Sequence, residues 1–265
     1  MRFKALASGS NGNCVYCGSG NTHILVDCGI SAKRVTEGLK ELGVRPEKLT
    51  AILVTHEHTD HICGLPVFLK HFPVPVFGTA ETLYRILGTE RQGAIVPGLL
   101  KPIEPGKPFA VGDFMVSACP VSHDAARPVA YRMASPGGTA AVMTDLGTYT
   151  AQTEAFLRGV NALLLESNHD IRMLETGRYP YVLKRRILSD FGHLSNGKSS
   201  ELLERVIGPD LRFVLLGHIS EENNYPDLAL LEATNMLETV APERIAPGFR
   251  IECADRHAPS SLFEM

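Results

Sequence analysis

Apolar positions along the chain follow two different spacings. Short, continuously apolar segments lie at Ala51–Val54, Ala162–Leu165 and Phe213–Leu216, and this pattern predicts buried strands. Other segments repeat apolar residues at helical spacing, as in Ala32–Leu42, which Ser31 can cap at its N-terminus. Such strands and helices follow one another in two successive halves of the chain, so the pattern predicts an α/β fold.

The regions between these segments carry three further predictions. Residues 91–108 are rich in glycine and proline and are expected to form a connection without a domain boundary. Tyr181–Phe191 is predicted to be a helix that carries a run of three basic residues. Asn196 is predicted to cap a helix over Gly197–Ile207.

Composition restricts the classes of protein that fit. A length of 265 residues with 44% hydrophobic residues suits one domain over residues 1–265. The sequence has neither a long apolar stretch nor a signal-peptide pattern, so we expect a cytoplasmic protein without a membrane partner. A net charge of −3 gives no global basic field, so any nucleic acid must bind to a local patch. The six cysteines include one close pair, Cys14 and Cys17, and are predicted to be free thiols.

The densest group of chemically active residues follows the strand Ala51–Val54. It consists of His56, His58, Asp60 and His61. Imidazole nitrogens and carboxylate oxygens bind zinc, manganese and iron in sites that keep an open position, whereas closed structural zinc sites usually use thiolates. A tight turn here would separate the ligands into two groups, as two metal ions require. The alternative is a solvated polar loop in which the histidines occur by chance.

The pattern His-x-His-x-Asp-His at 56–61 resembles the signature of the metallo-β-lactamase superfamily. Three further segments, Leu6–Asn13, Leu25–Gly29 and Gly192–Asn196, are similar to those of the YycJ-type (WalJ-like) bacterial nucleases within it. The resemblance extends over nearly the whole chain. It implies a metallo-β-lactamase fold, an α/β architecture built as an αββα four-layer sandwich.

The resemblance also implies which residues bind the metal ions. His123, Asp145 and His218 each follow a predicted strand and are similar to later motifs of the superfamily. With the residues at 56–61 they imply two divalent ions, zinc or manganese, with iron also possible. The expected ligands are His56, His58 and His123 for one ion and Asp60, His61 and His218 for the other, with Asp145 and a hydroxide as bridges. The alternatives are a surface histidine at 123 and a turn-forming aspartate at 145.

Three residues are assigned to catalysis. Glu166 matches in position a glutamate that pairs with a histidine in the related tRNA 3′-processing enzymes, and that histidine would be His193. A glutamate raises the basicity of its partner, which makes the imidazolium a suitable proton donor to a leaving oxygen. Asp60 is assigned to catalysis as well as to metal binding, with the bridging hydroxide as the expected nucleophile. His169 is either an active-site contact or a structural residue.

Six residues are candidates for contacts with substrate. The loop that contains Ser8, Ser10 and Asn11 offers backbone N–H groups that can hold a phosphate, or it is simply a turn. Lys184 and Arg185 lie shortly before His193 and could contact a phosphate backbone, although such charge runs usually form a solvated face. Asn196, from the Gly192–Asn196 segment, completes the set.

Together these features predict a metal-dependent phosphodiesterase. The resemblance implies a 5′-to-3′ exonuclease that acts on DNA with a 5′ end, and the protein could form a homodimer. The alternatives are a thioester or lactam hydrolase on the same metal core, a small cyclic phosphodiesterase, and a nucleic-acid-binding module with structural metal ions. The residues alone decide neither the metal nor the choice between DNA and RNA.

Overall fold

The computed structural model of the protein describes residues 1–89, 95–240 and 242–265. The contacts between residues divide the chain into two compact units. The first contains residues 1–120, 125–138 and 255–265, and the second contains residues 121–124 and 139–254. A single domain over the whole chain stays a prediction. Each helix in the described ranges is too short or too polar to cross a membrane.

Strands and helices alternate along much of the chain, as the apolar pattern predicts. The strands are β1 (Arg2–Ala7), β2 (Cys14–Ser19), β3 (Thr22–Val26), β4 (Ala51–Leu53), β5 (Val76–Thr79), β6 (Leu100–Ile103), β7 (Phe109–Val111), β8 (Phe114–Pro120), β9 (Val129–Ser135), β10 (Gly138–Met143), β11 (Ala162–Glu166), β12 (Phe213–Gly217), β13 (Arg250–Cys253) and β14 (Phe263–Glu264). The helices are α1 (Ala32–Glu41), α2 (Thr59–Ile62), α3 (Leu65–His71), α4 (Ala80–Thr89), α5 (Ala151–Leu157), α6 (Ile171–Thr176), α7 (Tyr181–Ile187), α8 (Asn196–Val206) and α9 (Pro226–Leu237).

The first unit is built on a seven-stranded sheet with the order β14-β1-β2-β3-β4-β5-β6. Strands β1 to β3 pair antiparallel, whereas β3 to β6 pair in parallel. Parallel neighbours need crossover connections, and α1, α3 and α4 lie between these strands in chain order. Helix α1 begins at the predicted cap, where Ser31 Oγ accepts a hydrogen bond from Arg34 N. Its residues Val35 and Leu39 are buried in the core that covers the sheet.

Strand β6 corrects the prediction that residues 91–108 form only a connection. Leu100–Ile103 pairs in parallel with β5 at the edge of the sheet. Its Pro102 has no N–H group to donate, and an edge strand tolerates that loss because only one of its sides needs a complete ladder. Glycines and prolines surround this strand, so the pattern of apolar residues does not indicate it. Residues 91–94 lie outside the described ranges.

The first unit also contains an antiparallel group of strands, β7-β8-β9. Strand β8 pairs with β7 through Val116 and Phe109, and with β9 through Met115 and Ala134. Along β8, Phe114 and Val116 are buried while Met115 between them is exposed. This alternation is that of a strand with one face on a core.

Strands β10 to β13 of the second unit are parallel and adjacent in that order. Their register aligns Ala162 with Ala140 on one side and with Phe213 on the other. Because parallel strands end at the same edge of a sheet, the residues at their carboxyl ends come together there. Chemically active side chains stand at three of these ends: Asp145, Glu166 and His218.

Two helix boundaries in the second unit differ from the prediction. Helix α7 ends at Ile187 rather than at Phe191, and the chain then turns so that His193 N donates to Ile187 O. Ser195, not Asn196, caps α8, and its Oγ accepts a hydrogen bond from Lys198 N. Serine and asparagine are equally good caps, so the sequence does not distinguish neighbours of these two types.

Candidate active site

The chain after β4 folds the histidine-rich segment into a compact cluster. It leaves the strand at Val54 and forms the single-turn helix α2 from Thr59. The ring centroids of His56 and His58 lie 4.6 Å apart, and those of His56 and His61 lie 4.1 Å apart. The turn therefore brings the three imidazoles together, while Asp60 Oδ2 lies 3.3 Å from His61 Nε2.

Asp27 holds this cluster from the end of the neighbouring parallel strand β3. Its Oδ2 lies 2.7 Å from His61 Nδ1, and its carboxylate accepts further hydrogen bonds from Thr55 N and Thr55 Oγ1. Burial raises the pKa of the Asp27 carboxyl, although His61 and Thr55 act to lower it. His61 donates its Nδ1 proton to this carboxylate, so its Nε2 presents a lone pair.

Asn13 is a second contact of the cluster that sequence reasoning left unassigned. Its Oδ1 accepts from Gly9 N at 3.0 Å, which directs the Nδ2 group toward Asp60 Oδ2 at 3.3 Å and His61 Nε2 at 3.1 Å. Its backbone N also donates to Asp60 O at 2.8 Å. The signal available in the sequence was that Asp27 and Asn13 lie inside two of the segments on which the family resemblance rests.

The serine and asparagine loop after β1 lies against this cluster through Asn13. Ser8 is buried, and its Oγ lies 3.2 Å from Asn13 Oδ1. Ser10 and Asn11 are exposed. The predicted substrate contacts in this loop therefore comprise one buried and two accessible side chains.

The carboxyl ends of β10, β11 and β12 build a second cluster around Asp145. Its Oδ1 lies 3.4 Å from His218 Nε2, 3.8 Å from His123 Nε2 and 3.7 Å from His193 Nδ1. Asp145 and His218 adopt left-handed backbone conformations, with φ of 58° and 54°. Within the described ranges, Asp27 at 63° is the other non-glycine residue with such a φ. This conformation is costly for residues other than glycine, and all three positions carry chemically active side chains.

His123 is oriented by a backbone carbonyl. Its Nδ1 lies 3.1 Å from Gly192 O, and the imidazole is buried. Burial lowers the pKa of His123, so the ring is neutral and carries one proton. The carbonyl oxygen can only accept, so that proton is on Nδ1 and the Nε2 lone pair is directed toward Asp145.

Glu166 and His193 form a tight ion pair beside Asp145. Glu166 Oε1 lies 2.7 Å from His193 Nδ1, and Glu166 Oε2 accepts from Leu146 N and Leu194 N at 3.0 and 3.1 Å. Burial acts to lower the pKa of His193, but the charge and hydrogen bond of Glu166, together with the charge of Asp145, outweigh it and raise the pKa to about 9. His193 is therefore an imidazolium at neutral pH, with its Nε2–H available to donate.

The donor atoms of both clusters suit divalent metal ions. Within the second unit, ligand atoms of Asp145, Glu166, His193 and His218 lie within 4.8 Å of one another. Both Glu166 oxygens are already engaged by His193 and two backbone N–H groups, which fits a residue that orients His193 rather than a ligand. Nε2 lone pairs on His61 and His123, each fixed by a hydrogen bond at Nδ1, are the arrangement typical of metal-binding histidines.

His169 and Asn196 belong to a buried polar network behind this edge. Asn196 Oδ1 accepts from Ser167 Oγ at 2.8 Å and from Asn224 Nδ2 at 2.8 Å. His169 Nδ1 lies 3.3 Å from Asn168 Oδ1, and burial lowers the pKa of His169 to about 4. These bonds join the loops that follow β11 and β12, and the predicted contact of Asn196 with substrate stays a prediction.

The basic residues of α7 are partly engaged with the protein itself. Lys184 Nζ donates to Glu175 O at 2.7 Å, and Arg186 Nη2 donates to Asp124 Oδ1 at 3.0 Å. The Arg185 guanidinium lies 5.9 Å from the ring centroid of Tyr181, and both residues are exposed. Of the three basic residues, Arg185 is thus directed to the surface beside an aromatic ring.

Comparison with protein families and curated proteins gives consistent matches. A family model described as a beta-lactamase superfamily domain matches residues 22–219. A Streptococcus pneumoniae protein named exodeoxyribonuclease WalJ is 36% identical over 237 residues, which cover 89% of this chain and 88% of the relative. A Bacillus anthracis protein named exodeoxyribonuclease YycJ is 34% identical over 268 aligned residues, covering 99% of this chain and 98% of the relative.

Solved structures match the fold over nearly the whole chain. The metallo-beta-lactamase fold protein YhfI from Bacillus subtilis superposes with a TM-score of 0.71 at 17% identity, covering 100% of this chain and 99% of that one. Zn²⁺-bound PqqB from Methylobacterium extorquens gives a TM-score of 0.72 at 14% identity, covering 98% and 100%. The predicted fold class, an α/β metallo-β-lactamase fold with two sheets flanked by helices, is confirmed.

Proposed function

Because the chain belongs to the beta-lactamase superfamily, we propose that it is a metal-dependent exonuclease that degrades DNA from a 5′ end. The observation that carries the proposal is the Glu166–His193 pair beside Asp145, with His193 raised in pKa to about 9. A protonated, oriented imidazole is the group required to protonate the oxygen that leaves when a phosphodiester is hydrolysed. The two relatives named exodeoxyribonucleases support the reaction class and the substrate.

Two divalent metal ions, zinc or manganese with iron as a further option, complete the proposal. His56, His58 and His123 would hold one ion, Asp60, His61 and His218 would hold the other, and Asp145 would be a further ligand. The fixed tautomers of His61 and His123 support this set. When bound, such ions supply a nucleophile at neutral pH and neutralise charge on the phosphoryl oxygens.

The protein's own residues then have separate tasks. Asp27 and Asn13 hold Asp60 and His61 in position, and Glu166 holds His193 with its Nε2–H free to donate. Protonation by His193 leaves a neutral imidazole beside Glu166, which takes its proton back from water. Asp60 acts in catalysis by keeping the cluster of His56, His58 and His61 in position relative to the reacting phosphate.

Substrate contacts form the third part of the proposal. Ser8, Ser10 and Asn11 contact the phosphate group at the 5′ end of the DNA strand, and Asn196 contacts substrate beside them. Lys184 and Arg185 contact the phosphates that follow along the strand. Arg185 supports this part because it is exposed. A cytoplasmic location accords with the six free cysteines. The homodimer is a further prediction.

Nuclease assays on end-labelled DNA and RNA, single- and double-stranded, test the proposal. Each metal ion is added separately to metal-free protein. Wild type should shorten 5′-phosphorylated DNA stepwise, and Asp145→Ala should abolish this activity. His71→Ala is the matched control, since His71 is an exposed histidine at the end of α3. Intact DNA with every metal, or thioester turnover that ignores His193→Ala, would contradict the proposal.

A further inference from the structure

Phe191 is an exposed aromatic side chain two residues before His193. Its side chain is 60% exposed, although phenylalanine is among the residue types most often buried. Because Phe191 lies two residues before the candidate proton donor His193 in the chain, its exposed ring is a candidate for contact with substrate.

The backbone around Phe191 is held on both sides by the site. Ser122 Oγ donates to Asp190 O at 2.6 Å, and His123 Nδ1 donates to Gly192 O at 3.1 Å. The chain is also tied back to the end of α7, because Gly192 N donates to Ser189 O at 2.9 Å. Phe191 thus stands between two residues that contact the segment carrying a proposed metal ligand.

The turn that carries Phe191 is tightly packed at Gly192. A Cβ atom on Gly192 would lie 2.1 Å from Ile187 O and 2.4 Å from Arg186 O, so this position accepts only glycine. The backbone that carries the Phe191 side chain is therefore restricted at Gly192. A restricted backbone loses little conformational entropy when a strand binds.

Helix α7 precedes this turn in the chain, and its exposed residues have the composition of a single-strand binding surface. Tyr181 is 73% exposed, and the Arg185 guanidinium lies 5.9 Å from its ring centroid. Proteins that bind single strands combine aromatic rings that stack on bases with cationic groups that follow the backbone. The chain carries a net charge of −3, so a local patch of this kind is where an anionic strand can bind.

We propose that Phe191 stacks on a nucleobase next to the phosphate being cleaved, so that the enzyme engages an unpaired strand end. Tyr181 and Arg185 continue this surface along the strand. The proposal rests on the exonuclease function and adds a recognition element for the base. Stacking needs a π face but no particular base, so the surface selects unpaired nucleotides rather than a sequence.

The test compares Phe191 variants on oligonucleotides that lack one base. The substrates are 5′-phosphorylated single strands, either intact or with an abasic nucleotide at the first, second or third position. Base stacking contributes about 1–3 kcal/mol per base, so Phe191→Ala should raise KM about 5- to 150-fold on the intact strand. With the abasic nucleotide at one of the three positions, the KM of wild type should rise to that of Phe191→Ala. The KM of Phe191→Ala itself should not rise further at that position.

Two further variants separate stacking from simple apolar contact. Phe191→Trp should retain wild-type KM, whereas Phe191→Leu should resemble Phe191→Ala. Leu188→Ala, at the C-cap of α7 and 42% exposed, is the matched control and should behave as wild type. Fluorescence anisotropy with a phosphorothioate-linked, uncleaved strand gives the same order of affinities without turnover.

Three results would overturn the stacking proposal while the exonuclease function stands. The first is a wild-type KM in Phe191→Ala, and the second is a wild-type KM in Phe191→Leu. The third is a KM that rises further when the Phe191→Ala variant is given the abasic strand, so that the two losses add. A change of oligomeric state in Phe191→Ala at unchanged strand affinity would instead make Phe191 part of an interface between copies of the chain. Wild-type protein that binds and cleaves no nucleic acid would overturn both proposals together.

Discussion

Each unit of the protein contains a buried carboxylate that holds an imidazole Nδ1 at 2.7 Å. In the first unit the pair is Asp27 and His61, and in the second it is Glu166 and His193. The two pairs differ in what the other ring nitrogen faces. His61 Nε2 lies 3.3 Å from the Asp60 carboxylate inside a histidine cluster, which suits a lone pair that binds a cation. The side chain of His193 is 15% exposed and can reach substrate, which suits a proton donor.

A third imidazole shows what the carboxylate contributes. His169 Nδ1 lies 3.3 Å from an amide oxygen of Asn168 instead of a carboxylate, and burial lowers its pKa to about 4. His193, in the same unit, has a pKa raised to about 9 by Glu166 against the effect of burial. A buried histidine therefore becomes a cation or stays neutral according to the charge of the group at Nδ1.

The largest effect is expected from removing the proton donor. His193→Ala should lower kcat about 10²- to 10⁴-fold, the usual contribution of a general acid, with little change in bound metal. Glu166→Gln should lower kcat in the same direction, because a neutral amide no longer favours the imidazolium. The measurements are steady-state kinetics and metal content by mass spectrometry. Loss of a metal ion from His193→Ala would make His193 a ligand and remove the distinction between the two pairs.

A smaller effect is expected from the pair in the first unit. Asp27→Asn removes the charge that holds His61 Nδ1–H, so metal affinity should fall about 10- to 100-fold, the typical effect of changing a group that orients a ligand. Activity should return when the metal concentration is raised, which it should not do in His193→Ala. Chelator competition measures the affinity directly. Wild-type affinity in Asp27→Asn would mean that His61 is oriented without its carboxylate.

The pH dependence of the free energy of unfolding tests the pKa of His169, whose Nδ1 lies beside an amide oxygen instead of a carboxylate. The pKa of His169 is about 4 in the folded protein and 6.5 without burial, so the unfolded state binds its proton more readily. The His169 contribution to stability is complete above about pH 6.5 and is lost as the pH falls toward 4. Between pH 7 and 5 this amounts to about 2 kcal/mol. Wild type should lose that much more unfolding free energy than His169→Gln in denaturant titrations, and equal losses would contradict the pKa.

The two clusters also differ in how far the sequence predicts them. The first is contiguous, and imidazole and carboxylate ligands at positions 56–61 indicate metal binding without knowledge of any family. The second joins residues from 123 to 218, and of these Asp145, Glu166 and His218 meet because β10, β11 and β12 are parallel. That pairing is a property of topology, so before the structure those residues could be assigned only through resemblance.

Residues that act through their neighbours were harder to predict than those with obvious chemistry. Asp27 and Asn13 have side chains typical of turns, and their role depends on contacts across the chain to His61 and Asp60. The same limit applies to α8, where Ser195 rather than Asn196 is the cap because tertiary contacts engage Asn196. Local pattern fixes where strands end, but the partner of each polar side chain is decided by packing.

The smallest expected effect on metal affinity comes from replacing Asn13, an uncharged residue that contacts the first cluster. Asn13 Nδ2 lies 3.3 Å from Asp60 Oδ2, and the Asn13 carbonyl oxygen accepts from Gly9 N. This bond to the Asp60 carboxylate is longer than a typical N–H···O bond, so its net contribution is about 1 kcal/mol. Asn13→Ala should therefore weaken metal affinity about fivefold, less than Asp27→Asn. Chelator competition on both variants and the double variant measures the ranking. If Asn13→Ala weakened affinity more than Asp27→Asn, the loop after β1 would contribute more to this cluster than the buried carboxylate does.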